Sequence, residues 1–349
     1  MSDLIFLGNE KQSELISKQF PDFQSLFREA VTIQDECKDI SVGPDSTYMI
    51  DFTSLLSGLY VMERADSLKM YQLSKHSINQ LCQKIGMNVS YYNTCYNKGA
   101  FDLLDRNMNH WISECKDKKF LFRIYKDSYV RGILSNRYSI FDTPKILDTL
   151  FYYIDVCSEK YSIVGAYLSP ERFHLRVIQN RKLLSDDDLF VGFTVDSSDV
   201  GRCALSVKFF IYKQVCSNGL CIPQVLTGFS HRHIGIHPSK LGESLKSVSK
   251  NLFNFREVSK DLINTSKVNS LPVSDLLDKD SSLVEYISTK STLSKDLVVN
   301  RVVPLIDKYY GGFTVFNLVN AITEVAQDFT LERRLELEGR AGELLTLKV

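Results

Sequence analysis

Apolar positions recur at intervals of three and four at both ends of the chain and alternate with polar ones in its middle. In 9–37, Leu15, Ile16, Phe20, Phe23, Leu26, Phe27 and Val31 have helical spacing. Pro21 interrupts the run, which predicts a short helix and a second one starting near Asp22. Tyr48 to Phe52 reads as a strand or a turn. Residues 66–115 read as helix throughout, with Leu68, Tyr71, Leu73, Ile78, Leu81, Cys82 and Ile85 apolar and Ser77 as an N-cap. Tyr91-Tyr92 and Phe101 to Ile112 extend this into a small helical bundle. Trp111, the only tryptophan, is expected in its core.

After Lys119 the period changes to two. Phe120–Tyr125 and Tyr129–Leu134, separated by a short polar turn, read as a β-hairpin. Asp142-Thr143-Pro144 starts a helix carrying Ile146, Leu147, Leu150, Phe151 and Ile154. Strands are expected at 161–167, 173–178, 189–195 and 204–215, with a loop at Asp186–Asp188 and a turn at Ser217-Asn218-Gly219. Helical spacing returns from Leu245 to Leu262, then at 283–289, 294–308, 317–326 and 331–347. Residues 264–282 read as a surface connection, and Gly311-Gly312 as a helix end. The class is α+β: a helical region 1–115, a β-rich centre 116–260 and a helical region 261–349 packed on it.

The 349 residues suffice for a large core, and 44% hydrophobic with 24% charged residues describes a folded chain. No apolar run reaches the length of a membrane span, and MSDLIFLGNEKQSE lacks the basic start of a signal peptide. The eight scattered cysteines read as reduced thiols, so the expected compartment is the cytoplasm. The formal net charge of zero hides blocks. Residues 1–115 balance at −5, 116–182 at +6, 183–201 at −5, 202–260 at +7 and 261–349 at −3. Cations gathered in the middle suit an anionic polymer, although a solvated surface gives the same count.

Four segments carry a resemblance. They are Arg131-Gly132-x-Leu134-Ser135-x-Arg137-Tyr138, Val195-Asp196-Ser197-Ser198-Asp199-Val200-Gly201 with Val215-Cys216-Ser217-Asn218-Gly219-Leu220, Arg232-His233-Ile234-Gly235, and Asn320-Ala321-Ile322-Thr323-Glu324. Over about 120–330 the chain resembles the DUF932 family of phage and plasmid proteins. Nothing in 1–115 carries the likeness. The resemblance implies a setting beside recombination genes on mobile elements, and it brings no catalytic set.

His231-x-His233-x₃-His237 with Cys216 and Cys221 has zinc-ligand residue types, but Cys-x₄-Cys is an unusual spacing. Asp186–Asp188 with Asp196 and Asp199 has carboxylates for Mg²⁺ without the usual partner motif. No local signature marks a catalytic Cys–His pair, and no phosphate-cradling glycine loop is present, so no cofactor is implied.

What remains is the interleaving of cations and rings. Arg123, Lys126, Arg131, Arg137, Tyr138, Arg202, Lys208, Tyr212, Lys213, Arg232 and His233 form the expected nucleic-acid surface. Lys208, Phe210 and Tyr212 share one face of a strand, an arrangement suited to a single strand of DNA: charge follows the backbone and rings stack on bases. The competing view makes these rings core and these cations strand-edge caps. The leading expectation is a non-catalytic single-stranded DNA binding or annealing factor, with a homo-oligomer as its setting. Two alternatives stay open: an interaction protein, such as an inhibitor of host defence acting by protein contact, and a metal-dependent enzyme.

Overall fold

The hairpin Phe120–Tyr125 and Tyr129–Ser135 joins the two halves of the fold. The computed structural model describes residues 20, 22–43, 48–51, 58–64, 67–115, 117–155, 160–185, 188–213, 218–221, 228–235, 237–310 and 312–346. In chain order the first elements are α1 (Phe23–Asp35), β1 (Cys37–Val42), β2 (Tyr48–Asp51), β3 (Gly58–Arg64) and β4 (Ser67–Leu73). Helices α2 (Lys75–Ile85), α3 (Val89–Asn97) and α4 (Phe101–Glu114) follow, then the hairpin strands β5 and β6 and helix α5 (Thr143–Asp155).

β1 to β6 form one sheet in the order β1-β5-β6-β4-β3-β2. Its pairs are antiparallel except β4 with β6, which run parallel through Gln72↔Tyr129 and Leu73↔Val130. Alternation in the hairpin sends Phe120, Phe122, Ile124, Val130 and Ile133 to one face, where Leu81, Cys82, Tyr92, Leu104 and Met108 of α2–α4 cover them.

The expectation of helix over 66–115 is therefore corrected for 67–73. Leu68, Tyr71 and Leu73 fit either period, and pairing with β3 and β6 decides for strand. The N-cap of α2 is Ser74, whose side chain accepts from the Ser77 backbone, so Ser77 is the third helical residue rather than the cap. Trp111 is also corrected: it is 46% exposed on the outer side of α4. Asp22 does cap α1, as Pro21 suggested, while the helix expected before it lies outside the described residues.

The second sheet is an antiparallel meander of β7 (Tyr161–Leu168), β8 (Phe173–Lys182), β9 (Leu189–Ser197), β10 (Leu205–Lys213) and β11 (Asn218–Cys221). The short β12 (Phe229–His231) also pairs with β10. Phe173, Leu175, Val177, Val191, Phe193, Val195, Leu205, Val207, Phe209 and Ile211 face the main core. They meet α5, α6 (Pro238–Lys246) and α7 (Val248–Val268), and through these the C-terminal helices.

Helix α7 runs to Val268 and α8 (Val273–Leu277) follows, where a connection was expected over 264–282. The serines there do not break the helix because they are small and bond backward, as Ser266 Oγ does to the Ile263 carbonyl. The remaining elements are α9 (Ser282–Ser291), the mixed α and π run α10 (295–310), α11 (Val315–Val325) and α12 (Leu331–Glu343). Gly311 lies outside the described residues.

Two sheets with helices at both ends make an α+β fold, as the change of period implied. No described helix is long and apolar enough to cross a membrane.

Candidate nucleic-acid interface

Register in the hairpin slips once. Arg123 pairs with Gly132 but Ile124 pairs with Val130, which leaves Arg131 as the extra residue of a bulge. The bulge turns Arg131 toward the same side as Arg123, away from the apolar face. Both arginines are fully buried and both have acidic partners.

Arg123 donates to both oxygens of Asp142 at 2.6 Å and to Asp39 at 2.9 and 3.1 Å. Asp39 is its direct partner across β1–β5, and Asp142 stands one residue before α5. Arg131 donates to the Pro170 carbonyl and lies 3.6 Å from Asp199. Asp199 in turn accepts from the Thr143 backbone and hydroxyl at 3.2 Å. Burial, followed by the neighbouring Asp142 charge, pushes the Asp199 carboxyl up to about 6 against the pull of the two arginines.

Three of the four segments that carried the family resemblance meet around this network. Gly132 lies so close to the Val200 side chain that a Cβ there would sit 2.7 Å from it. The Tyr138 hydroxyl donates to the Ser198 carbonyl at 2.8 Å, and the Ser139 backbone donates to the His233 carbonyl at 2.6 Å. His233 is buried, bonded to Ser139 and Ser197, and burial holds its pKa below the usual histidine value. The fourth segment lies in α11, where the buried Asn320 donates to the Phe316 carbonyl at 2.9 Å.

Beside the network a cleft of about 510 Å³ opens between α2 and the 199–203 loop. Its walls are His76, Asn79, Gln80 and Gln83 of α2, facing Arg172, Gly201, Arg202 and Cys203. The four α2 residues stand at helical positions i, i+3, i+4 and i+7, so they form one polar stripe. No carboxylate of the described residues lines the cleft. Gln80 and His76 both bond the Val200 carbonyl, at 2.8 and 3.0 Å, and burial keeps the His76 pKa low. Arg202 pairs with Glu171 at 2.9 Å and Arg172 with Asp196 at 3.6 Å, both from outside the walls. Burial pushes the Asp196 carboxyl up, but its bond to His174 and the charges of Arg172 and Lys208 outweigh that and lower it. Burial pushes the Cys203 thiol up to about 11, so it is not an activated nucleophile.

The expected surface residues separate into three groups. Arg123, Arg131, Tyr138 and His233 are buried and hold the fold together, which corrects their reading as ligand contacts. Arg202, Lys208, Arg137 and Arg232 are exposed. Lys208 acts on Asp196, which leads through Arg172 to the cleft. Gly201 then leads to Tyr138, and the bridge Tyr138↔Ile234 brings Arg137 beside Gly235 and the Arg232 segment. Arg137, Lys208 and Arg232 form no ion pair among the described residues.

Lys126, Tyr212 and Lys213 belong elsewhere. Lys126 stands at the opposite end of the hairpin near Glu36. Tyr212 packs on Phe210 in a small cluster, and the Lys213 ammonium sits 5.8 Å over the Phe316 ring. Phe210 itself is buried, with the Arg176 guanidinium 5.8 Å over its ring, so it offers no stacking platform.

The histidine run is spread among separate partners: His231 bonds Ser244, His233 lies inside, and His237 caps α6. Cys216, Asp186 and Asp187 lie outside the described residues. Among the described residues no group of three His, Cys, Asp or Glu side chains is placed to hold a metal ion. The α2 stripe and Arg172 escaped the sequence reading, although the i, i+3, i+4, i+7 polar spacing was legible. The chain matches no protein-family profile, no curated protein and no solved structure.

Proposed function

We propose that this chain binds nucleic acid without catalysing a reaction, with single-stranded DNA as the favoured ligand. What carries the reading is the exposure of four cations, Lys208, Arg202, Arg137 and Arg232, drawn from strands and loops far apart in sequence and linked by the neighbours between them. Unpaired arginine and lysine along one track suit phosphates spaced along a backbone. Arginine keeps donors free even when one carboxylate is bound, so the Arg202–Glu171 pair leaves it able to take a phosphate. The absence of an exposed ring on β10 moves the weight of binding from stacking to charge. The resemblance to phage and plasmid proteins supplies the setting, a mobile element whose replication or recombination exposes single strands.

The test is fluorescence anisotropy of labelled single-stranded DNA, duplex DNA and RNA over a salt series. Single-strand binding that weakens steeply with salt, and that is lost when Arg137, Arg202, Lys208 and Arg232 are changed together to Glu, supports the reading. Absence of binding to all three at low salt overturns it.

A further inference from the structure

We infer that the cleft between α2 and the 199–203 loop is a nucleotide subsite, taking one phosphate on Arg172 and Arg202 and one base edge on Asn79 and Gln83. The inference rests on the nucleic-acid reading for its choice of ligand. The subsite shares Arg202 with the proposed track, whereas Asn79 and Gln83 belong to the cleft alone.

Three features of the walls ask for such a ligand. The Arg172 side chain lines the cleft, and its Nη2 reaches only to 3.6 Å from Asp196, so its contact with that carboxylate is long. A guanidinium carries five donors, and an anion in the cleft can take those that Asp196 does not hold. Arg202 is held by Glu171 through one nitrogen, which leaves further donors for the same anion.

The second feature is the pair of amides. Gln80 is spent on the fold, accepting from the Ile133 backbone and donating to the Val200 carbonyl. Asn79 and Gln83, one residue before and three after it on the same stripe, have no such bonds among the described residues. A carboxamide presents a donor and an acceptor side by side, the pattern that pairs with the edge of a base such as adenine. The third feature is size. A volume of about 510 Å³ lies within the range of small-molecule sites and exceeds what phosphate alone requires.

Cys203 lines the same cleft and reports on its occupancy. The experiment measures alkylation of Cys203 at pH 8.5 by peptide mass spectrometry, with adenosine monophosphate, adenosine or inorganic phosphate added to the full chain. Polymer binding is followed in parallel by anisotropy.

Adenosine monophosphate is expected to protect Cys203 at lower concentration than either phosphate or adenosine. Asn79→Ala with Gln83→Ala should weaken the nucleotide about tenfold and leave phosphate unchanged. Arg202→Ala should weaken both by about ten- to a hundredfold, the scale of hydrogen bonds to a charged group. Thermal unfolding confirms that each variant folds. Equal protection by phosphate and nucleotide, or protection unchanged in both variants, overturns the subsite. If the variants fail in the cleft while wild-type chain binds no polymer, the subsite stands and the strand-binding reading falls. If polymer binds and Cys203 is never protected, the reverse holds.

Discussion

The Tyr138 ring lies flat against the His233 imidazole, with centroids 5.2 Å apart and planes 6° from parallel. That contact fastens the end of the hairpin to the segment before α6. The imidazole also joins the Ser139 carbonyl at 3.3 Å and the Ser197 hydroxyl at 3.4 Å. Burial lowers its pKa, so the folded chain favours the neutral ring. A depressed histidine pKa gives stability that is present above the unfolded value near 6.5 and is lost as pH falls below it. His233→Phe keeps the stack and removes the hydrogen bonds. At pH 8 the variant should be less stable by about 1–3 kcal/mol, the cost of unpaired buried polar groups. The deficit should shrink between pH 6.5 and 5, read from urea midpoints. A deficit that stays constant would show that the ring takes up its proton inside the fold.

Asp199 works in the opposite direction. Its carboxyl is raised to about 6 by burial and by Asp142, so the folded state holds a proton that the unfolded state has released. This contribution favours the fold at acid pH and is lost as pH rises from about 4 to 6. Asp199→Asn removes it. The stability of the variant relative to wild type should rise across that interval and level off above it. A relative stability independent of pH would place the charge of Asp199 in better compensation than its distance of 3.6 Å from Arg131 implies.

Arg123 is the most fully paired cation of the network. Asp142→Ala removes two bonds of 2.6 Å and leaves a buried guanidinium with Asp39 as its one remaining carboxylate partner, beside the Asp199 carbonyl at 2.7 Å. The expected loss is about 3–5 kcal/mol. Glu36→Ala, which breaks the exposed pair with Lys126 and a contact with the Tyr125 hydroxyl, should cost no more than about 1 kcal/mol. Calorimetric or denaturant unfolding of the two variants separates them. Equal losses would deny the network its role.

Much of the fold was legible because alternation and helical spacing are local properties. β5, β6 and β8 to β10 follow the period-two pattern, and α1 and α5 start where Asp22 and Pro144 indicated. β4 was not legible, since Leu68, Tyr71 and Leu73 satisfy both periods and only the pairing with β3 and β6 decides. The site was half legible. Arg123 and Arg131 look like surface cations in sequence because their compensating carboxylates, Asp39, Asp142 and Asp199, come from three other segments. The bulge that turns Arg131 inward is a property of strand register, which hydrophobic pattern does not report. A glutamate at position 131 would face Asp199, so charge reversal there tests folding and not binding.

The hairpin's close approach to the 199–201 loop gives a sharper test of the architecture. A Cβ on Gly132 would lie 2.7 Å from Val200 Cβ and 2.9 Å from its Cγ1. Gly132→Ala should therefore destabilise the chain by about 1–3 kcal/mol, as overpacking does. Val200→Ala removes the Cγ1 part of the clash, so the double variant should be more stable than the sum of the single effects. Simple additivity would mean that the strand and loop move apart freely, and that the cleft beyond Val200 has no fixed wall.

Position along the surface also distinguishes cations that composition cannot. Arg137 and Arg232 stand on the proposed track, whereas Lys126 and Lys213 stand at the far ends of their hairpin and strand. Each phosphate contact with a single strand contributes about 0.7 to the slope of log affinity against log salt. Arg232→Gln should lower that slope by about 0.7, and Arg137→Gln with it by about twice as much. Lys126→Gln and Lys213→Gln should leave it unchanged, because a strand lying on Arg137 and Arg232 does not reach them. Equal reductions from all four would mean that binding is a diffuse attraction to the basic middle of the sequence, with no track at all.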